Sequence, residues 1–163
     1  FMVKFSWNKH FFSNTYTIAE NAEERGHLKG NNIFSSTSEA TFMGNDYKFV
    51  SEHWYNQNAK VYKAGQTEPL ARINFNGFTS KAEIIYNGKI YQLKFLNLWQ
   101  SRWEISKNEE PIITSKKSSL SGGEANIHEE YAELLLIALY TSNYFYSIGF
   151  MIIIIVVVII ISS

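Results

Sequence analysis

The side chains with catalytic potential in this 163-residue chain are few and scattered. Its four histidines are His10, His27, His53 and His128, and no two stand at a metal-ligand spacing. His128-Glu129-Glu130 lacks the second histidine four residues on that a helical zinc motif needs. They read as surface or capping residues. The absence of cysteine removes a thiolate zinc site, a disulfide framework and a Cys nucleophile. Glu129, Glu130 and Glu133 form an acidic cluster just ahead of an apolar run, and negative charge at a helix start accounts for them without any reaction. No phosphate loop, dinucleotide fingerprint or Gly-x-Ser-x-Gly elbow occurs. Trp54, Trp99 and Trp103 would line a ligand pocket or fill the packed centre of a small barrel, the latter because aromatics dominate burial. The expectation is a non-enzymatic protein without metal or cofactor.

Composition bounds the partners. Fifteen basic side chains balance fifteen acidic ones, which argues against a nucleic-acid binder, since displacing counterions from phosphates needs surplus Lys and Arg. A 45 % hydrophobic and 16 % aromatic content is ample for a core and far from the signature of disorder. The length favours one domain. The segment Phe1-Met2-Val3-Lys4-Phe5-Ser6-Trp7 has no long apolar core of a secretory signal, so the body is expected in a reducing cytosol. Glu133 is the last charged residue, and everything from Leu134 to Ser163 is uncharged.

From Tyr16 to Thr114 apolar residues come in short runs broken by Gly, Asn, Ser and charge, which predicts strands. The clearest hairpin turns on Asn87-Gly88, a pair that adopts the two positive φ angles of a type I′ turn cheaply. That turn sets Ile84 opposite Tyr91 and Ala82 opposite Leu93, with Glu83 and Gln92 on the other face. A second hairpin built on Gly44-Asn45 as a type II′ turn sets Phe42 opposite Tyr47 and Ala40 opposite Phe49. Ser38 to Phe42 echoes Ser80 to Ile84, Trp54 echoes Trp99, and Glu68-Pro69 echoes Glu110-Pro111. These echoes suggest two units of about 42 residues, although any meander of short strands resembles itself. Further strands are expected near Tyr16 to Ala19, Ile33 to Ser35, Ala59 to Tyr62, Ala71 to Phe75, Trp103 to Ser106 and Ile112 to Ser115. Such a series suggests an antiparallel barrel or sandwich.

The last third differs. Ser118-Ser119-Leu120-Ser121-Gly122-Gly123 reads as a connector, and Asn126 with Glu129 three positions later reads as the start of a helix. Leu134 to Tyr140 is apolar on every side, so it belongs inside protein or lipid. Thr141-Ser142-Asn143 interrupts it, and Tyr144 to Ile161 follows, reaching about 27 Å as a helix, close to a bilayer's hydrocarbon core. Insertion of Ile148 to Ile161 at about −0.4 kcal/mol per residue would give about −5 kcal/mol. Tyr144, Phe145 and Tyr146 would then sit at the near interface, and the β-branched composition also suits a buried helix or central strand.

The order of these features resembles small bacterial members of the tubby C-terminal-like group, which includes LURP-one-related proteins and phospholipid scramblases. The resemblance is carried by Ser80-Lys81-Ala82-Glu83-Ile84, Tyr86 to Phe95, Asn97-Leu98-Trp99, Ser101-Arg102-Trp103-Glu104-Ile105 and Glu133 to Phe145. It implies a mainly β fold, a closed twelve-stranded antiparallel barrel threaded by a hydrophobic C-terminal helix. On that reading residues 1–143 form the barrel with a central helix at about 126–143, holding Leu134, Leu135, Leu136, Ile137, Leu139 and Tyr140 inside. Apolar C-terminal helices in this group can be barrel plugs instead of membrane spans, but here the apolar region is too long for one plug, so residues 144–163 are expected to form a single-pass tail anchor, with Ile148, Phe150, Ile152, Ile155, Val157 and Ile160 in the membrane and the body in the cytoplasm. Tubby proteins bind phosphoinositides and scramblases are linked to lipid movement, but no basic lipid-binding or calcium-binding motif is present to carry over. Lys116 and Lys117 are the candidate headgroup contacts, against the plain reading of a solvated turn. The expected function is a membrane-tethered barrel that binds lipid or a protein partner. The alternatives are scramblase-like transport and a soluble ligand-binding barrel with the whole tail buried.

Overall fold

The computed structural model describes residues 1–30, 36–51 and 58–163, apart from the side chains of 150–152. Its strands run in chain order as β1 (Met2–His10), β2 (Thr15–Glu20), β3 (Glu23–Lys29), β4 (Thr37–Phe42), β5 (Asn45–Ser51) and β6 (Asn58–Lys63). They continue as β7 (Ala71–Asn76), β8 (Lys81–Tyr86), β9 (Lys89–Phe95), β10 (Arg102–Lys107), β11 (Glu110–Lys117) and β12 (Gly122–His128). Each strand pairs antiparallel with its neighbours in sequence, and β12 closes on β1 to make a twelve-stranded barrel. A single turn of 3₁₀ helix, Glu129–Tyr131, then leads into α1, Ala132–Ser162.

Alternation explains the wall: along β7, Ala71, Ile73 and Phe75 are buried and the residues between them exposed, as a strand with one wet face requires. For twelve strands about 4.8 Å apart and tilted about 40°, the wall lies about 12 Å from the barrel axis. An α-helix of about 2.3 Å backbone radius on that axis leaves about 10 Å for interdigitating side chains, a close-packed separation. The wall supplies that shape by setting large against small: Phe5 faces Ala125, Tyr47 faces Ala40, Phe75 faces Ala82 and Tyr86 faces Ala71. All eight are buried.

The Asn87-Gly88 hairpin has the predicted register, with Ile84 opposite Tyr91, Ala82 opposite Leu93 and Glu83 opposite Gln92. The earlier hairpin is shifted. Its loop is Met43-Gly44, both at positive φ, so Phe42 pairs with Asn45, Ala40 with Tyr47 and Ser38 with Phe49. The shift is two residues, so the faces survive and Phe42, Ala40, Tyr47 and Phe49 all still point inward. The two echoing hairpins, β4–β5 and β8–β9, lie four strands apart in the ring of twelve, so the echo does not divide the barrel into halves. The expected strand at Ile33 to Ser35 and the echo at Trp54 lie outside the described residues.

The region before the helix corrects the sequence reading. Gly122 and Gly123 begin β12 instead of ending a connector, with the Trp7 carbonyl oxygen beside Gly122 and the Trp7 ring against Gly123. A Cβ on Gly123 would stand 2.5 Å from that ring and 2.7 Å from the Lys116 carbonyl oxygen. Asn126 is a strand residue opposite Lys4, not a cap, so the helical region starts at Glu129 instead of 126. Strands β1 and β3, which the sequence reading did not anticipate, carry charge or polarity on their outer face and few apolar residues inside.

Candidate functional site

The arrangement that distinguishes this barrel is α1 itself, which enters at the lower end, fills the interior and leaves at the upper end. At the lower end Glu133 meets three donors from the wall. Tyr47 of β5 donates at 2.8 Å, Tyr86 of β8 at 2.9 Å, and the Lys63 ammonium of β6 at 2.5 Å. Burial pushes both phenols well above their ordinary range, and the bonds to Glu133 add to that shift. For Glu133 itself burial acts upward, but the hydrogen bonds from Lys63, Tyr47 and Tyr86 and the Lys63 charge outweigh it and hold the carboxyl below its usual value. These shifts keep Glu133 charged and both phenols neutral through the neutral range. The cluster is a clasp that ties the start of α1 to β5, β6 and β8 of the wall.

Along the inner part of α1, Leu134, Leu135, Leu136, Ile137, Leu139 and Tyr140 are all completely buried. Tyr140 stacks on Phe49 with ring centroids 4.4 Å apart. Thr141-Ser142-Asn143 does not interrupt the helix. The Thr141 hydroxyl donates to the Ile137 carbonyl at 2.8 Å and the Ser142 hydroxyl to that of Leu139 at 3.1 Å, so both are satisfied within α1. The Asn143 side-chain amide oxygen accepts from the Lys9 ammonium at 2.8 Å and the Tyr16 hydroxyl at 3.2 Å. Burial, followed by the nearby Lys117 charge, lowers the Lys9 pKa.

At the upper end aromatic rings grip the departing helix. Tyr144 stacks on Phe75 at 3.9 Å, and Phe145 meets Phe95 edge to face at 5.8 Å. The Tyr146 hydroxyl donates to the Gln100 carbonyl at 2.6 Å, and the Lys117 ammonium lies 4.2 Å from the Tyr146 ring centroid. Burial lowers the Lys117 pKa. Lys116 and Lys117 are the last residues of β11, with Lys116 exposed and Lys117 half-buried against that ring.

Beyond Tyr146 the helix continues unbroken. Ile148 is half-buried, Ile155, Val157 and Ile160 are exposed, and Phe150 and Ile152 lie in α1 with side chains outside the described residues. The whole tail is thus not buried within the chain, contrary to the soluble-barrel alternative. The 34 residues Glu129–Ser162 form a helix long and apolar enough to cross a membrane.

Elsewhere the side chains of interest disperse. His10, His27 and His128 are exposed, and His53 is outside the described residues. Trp103 is buried as expected, whereas Trp99 is 88 % exposed and lines no pocket within the barrel. Trp54 is outside the described residues. A concavity of about 730 Å³ is an open groove touching His27, Glu39, Asp46, Lys48 and Tyr62. Sequence reasoning passed over the wall partners of Glu133, Tyr47, Lys63 and Tyr86. The available signal was Glu133 itself, a carboxylate adjoining an apolar helix and therefore in need of donors. No protein-family model matches the chain, and no curated protein matches it in sequence.

Proposed function

We propose that this protein is a non-enzymatic barrel module, tethered to a membrane by the outer part of α1, that binds lipid or a protein partner there. One observation carries the reading. From Ile153 to Ile161 every side chain is a large aliphatic, 45–80 % exposed, on a helix continuous with the barrel core. Such a surface marks a lipid or protein contact, and length and composition favour lipid. The resemblance to the tubby C-terminal-like group, with its apolar helix in a closed barrel, supports the same reading. Lys116 and Lys117 at the upper end agree with a cytoplasmic body.

The test is alkaline carbonate extraction of membranes that contain the full chain. The full chain is expected to stay in the pellet. A version ending at Ser147, which keeps the aromatic grip on α1, is expected in the supernatant with a β-rich circular dichroism spectrum. Recovery of the full chain in the supernatant would refute the tether.

A further inference from the structure

The ends of the barrel differ in kind. Because consecutive strands are antiparallel, connections alternate between ends, and those following odd-numbered strands share the upper end with the departing helix. At that rim, large apolar side chains stand out into solvent at the loop tips: Phe11 and Phe12 after β1, Phe78 after β7, Leu98 and Trp99 after β9, and Leu120 after β11. Four of these, Phe12, Phe78, Leu98 and Leu120, are more than 90 % exposed. The lower end is turned by Asn21-Ala22, Met43-Gly44, Asn87-Gly88 and Asn108-Glu109. Among the described residues, Phe1, Met2 and Ile90 are the exposed large apolar side chains outside the rim and α1.

Charge follows the same axis. Besides Lys9, whose ammonium is held by Asn143, strands reach the rim at Lys29, Lys81, Arg102, Lys116 and Lys117, and among the described residues no carboxylate lies in the upper loops or in the two strand residues beside them. Acidic residues gather below, at Glu20, Glu23, Glu109, Glu110, Glu129 and Glu130.

We infer that the upper rim is a membrane-docking surface, which inserts its apolar loop tips into the interface of an anionic bilayer and lays its lysines on the headgroups. The inference rests on the tethered reading above. No linker separates barrel from tail: Tyr146 is still bonded to the rim at Gln100, and the apolar run starts at Ile148, about 3 Å further along the axis. A helix with its apolar residues in hydrocarbon therefore holds the rim at headgroup level. Exposed aromatics and lysines are the side chains that level favours.

The natural absence of cysteine allows single-cysteine labelling of the full chain. An environment-sensitive fluorophore is placed in turn at Phe78→Cys, Leu98→Cys, Leu120→Cys, Asn108→Cys and Val157→Cys, and each protein is reconstituted in phosphatidylcholine vesicles with or without phosphatidylglycerol. Probes at 78, 98, 120 and 157 are expected to emit severalfold more strongly, shifted to the blue, and to be quenched by nitroxide-labelled lipid, with probe 108 unchanged. The rim signals are expected to be larger with phosphatidylglycerol present. If probe 157 enters lipid while probes 78, 98 and 120 stay aqueous, rim docking is overturned and the tether stands. If probe 157 also stays aqueous, both fall. Equal rim signals in the two vesicle types would overturn the role of the lysines.

Discussion

Replacing Glu133 by Gln isolates what the clasp at the lower end contributes. The carboxylate accepts from Lys63, Tyr47 and Tyr86, and the Glu133 and Lys63 side chains are 23 % and 25 % exposed. Hydrogen bonds to charged groups contribute about 1.5–3 kcal/mol each, but three on one carboxylate are not additive, and partial exposure screens the ion pair. The amide keeps one acceptor oxygen and turns a donor toward another donor. A net loss of about 2–3 kcal/mol follows, or about 1 M in urea midpoint for a typical dependence of about 2 kcal/mol per M. The assay is urea unfolding of the full chain in detergent, followed by circular dichroism and compared with Lys63→Met and the double variant. The cycle should give a coupling of about 1–2 kcal/mol. The pH profile gives a second handle. Because folding lowers the Glu133 pKa, the stabilisation is complete above the unfolded carboxyl value of about 4.3 and is lost as pH falls through the folded value. The wild-type and Glu133→Gln curves should therefore converge in acid. A midpoint change within error at neutral pH, or strict additivity with Lys63→Met, would refute the clasp.

At the other end of the interior, Asn143→Leu should cost about 2–4 kcal/mol in the same unfolding assay, because the Lys9 ammonium and Tyr16 hydroxyl lose their acceptor, and Lys9→Met in addition should restore part of it. Failure of the second change to restore anything would count against the Lys9 contact. Gly26→Ala should leave little folded protein, since a Cβ there would lie 2.1 Å from the Thr41 carbonyl oxygen, while Gly44→Ala, at φ +78° in open space, should cost only about 1–2 kcal/mol. Yields and melting temperatures of the two variants test that order.

The sequence made the wall legible wherever a turn announced itself and strands alternated cleanly, as at Asn87-Gly88, where pattern and turn chemistry specify one register. It misled at Met43-Gly44, because methionine at positive φ carries no turn signature, and the loop was displaced by one residue. Asn21-Ala22 and Asn108-Glu109 bend in the same way, with all four residues at positive φ, and offer only a leading asparagine as a cue. The β12 strand was hidden by its glycines, whose reason is a neighbour more than a hundred residues away in sequence, Trp7. The apolar core of α1 was plain from composition, since a helix apolar all round must be covered. The clasps at its ends were not. Each needs partners from strands distant in sequence, and no local pattern joins Glu133 to Lys63 or Asn143 to Lys9.

These two clasps together fix where the barrel stands on its helix. Glu133 and Asn143 are separated by ten residues, about 15 Å, so they hold α1 at both ends of the interior. A slip of one residue would translate the helix by only about 1.5 Å but rotate it by about 100°, turning both polar side chains away from their donors and into apolar wall. A purely apolar helix in an apolar barrel would tolerate such slips, because its side chains are nearly interchangeable and the hydrophobic effect has no direction. Polar residues at the two ends remove that freedom where the wall offers lysine and tyrosine donors, although the buried amide nitrogen of Asn143 has no partner and its desolvation offsets part of the gain. The register of the helix inside the barrel thereby determines how far its emerging part stands above the rim, which under the proposed tether sets the loops that would reach lipid headgroups.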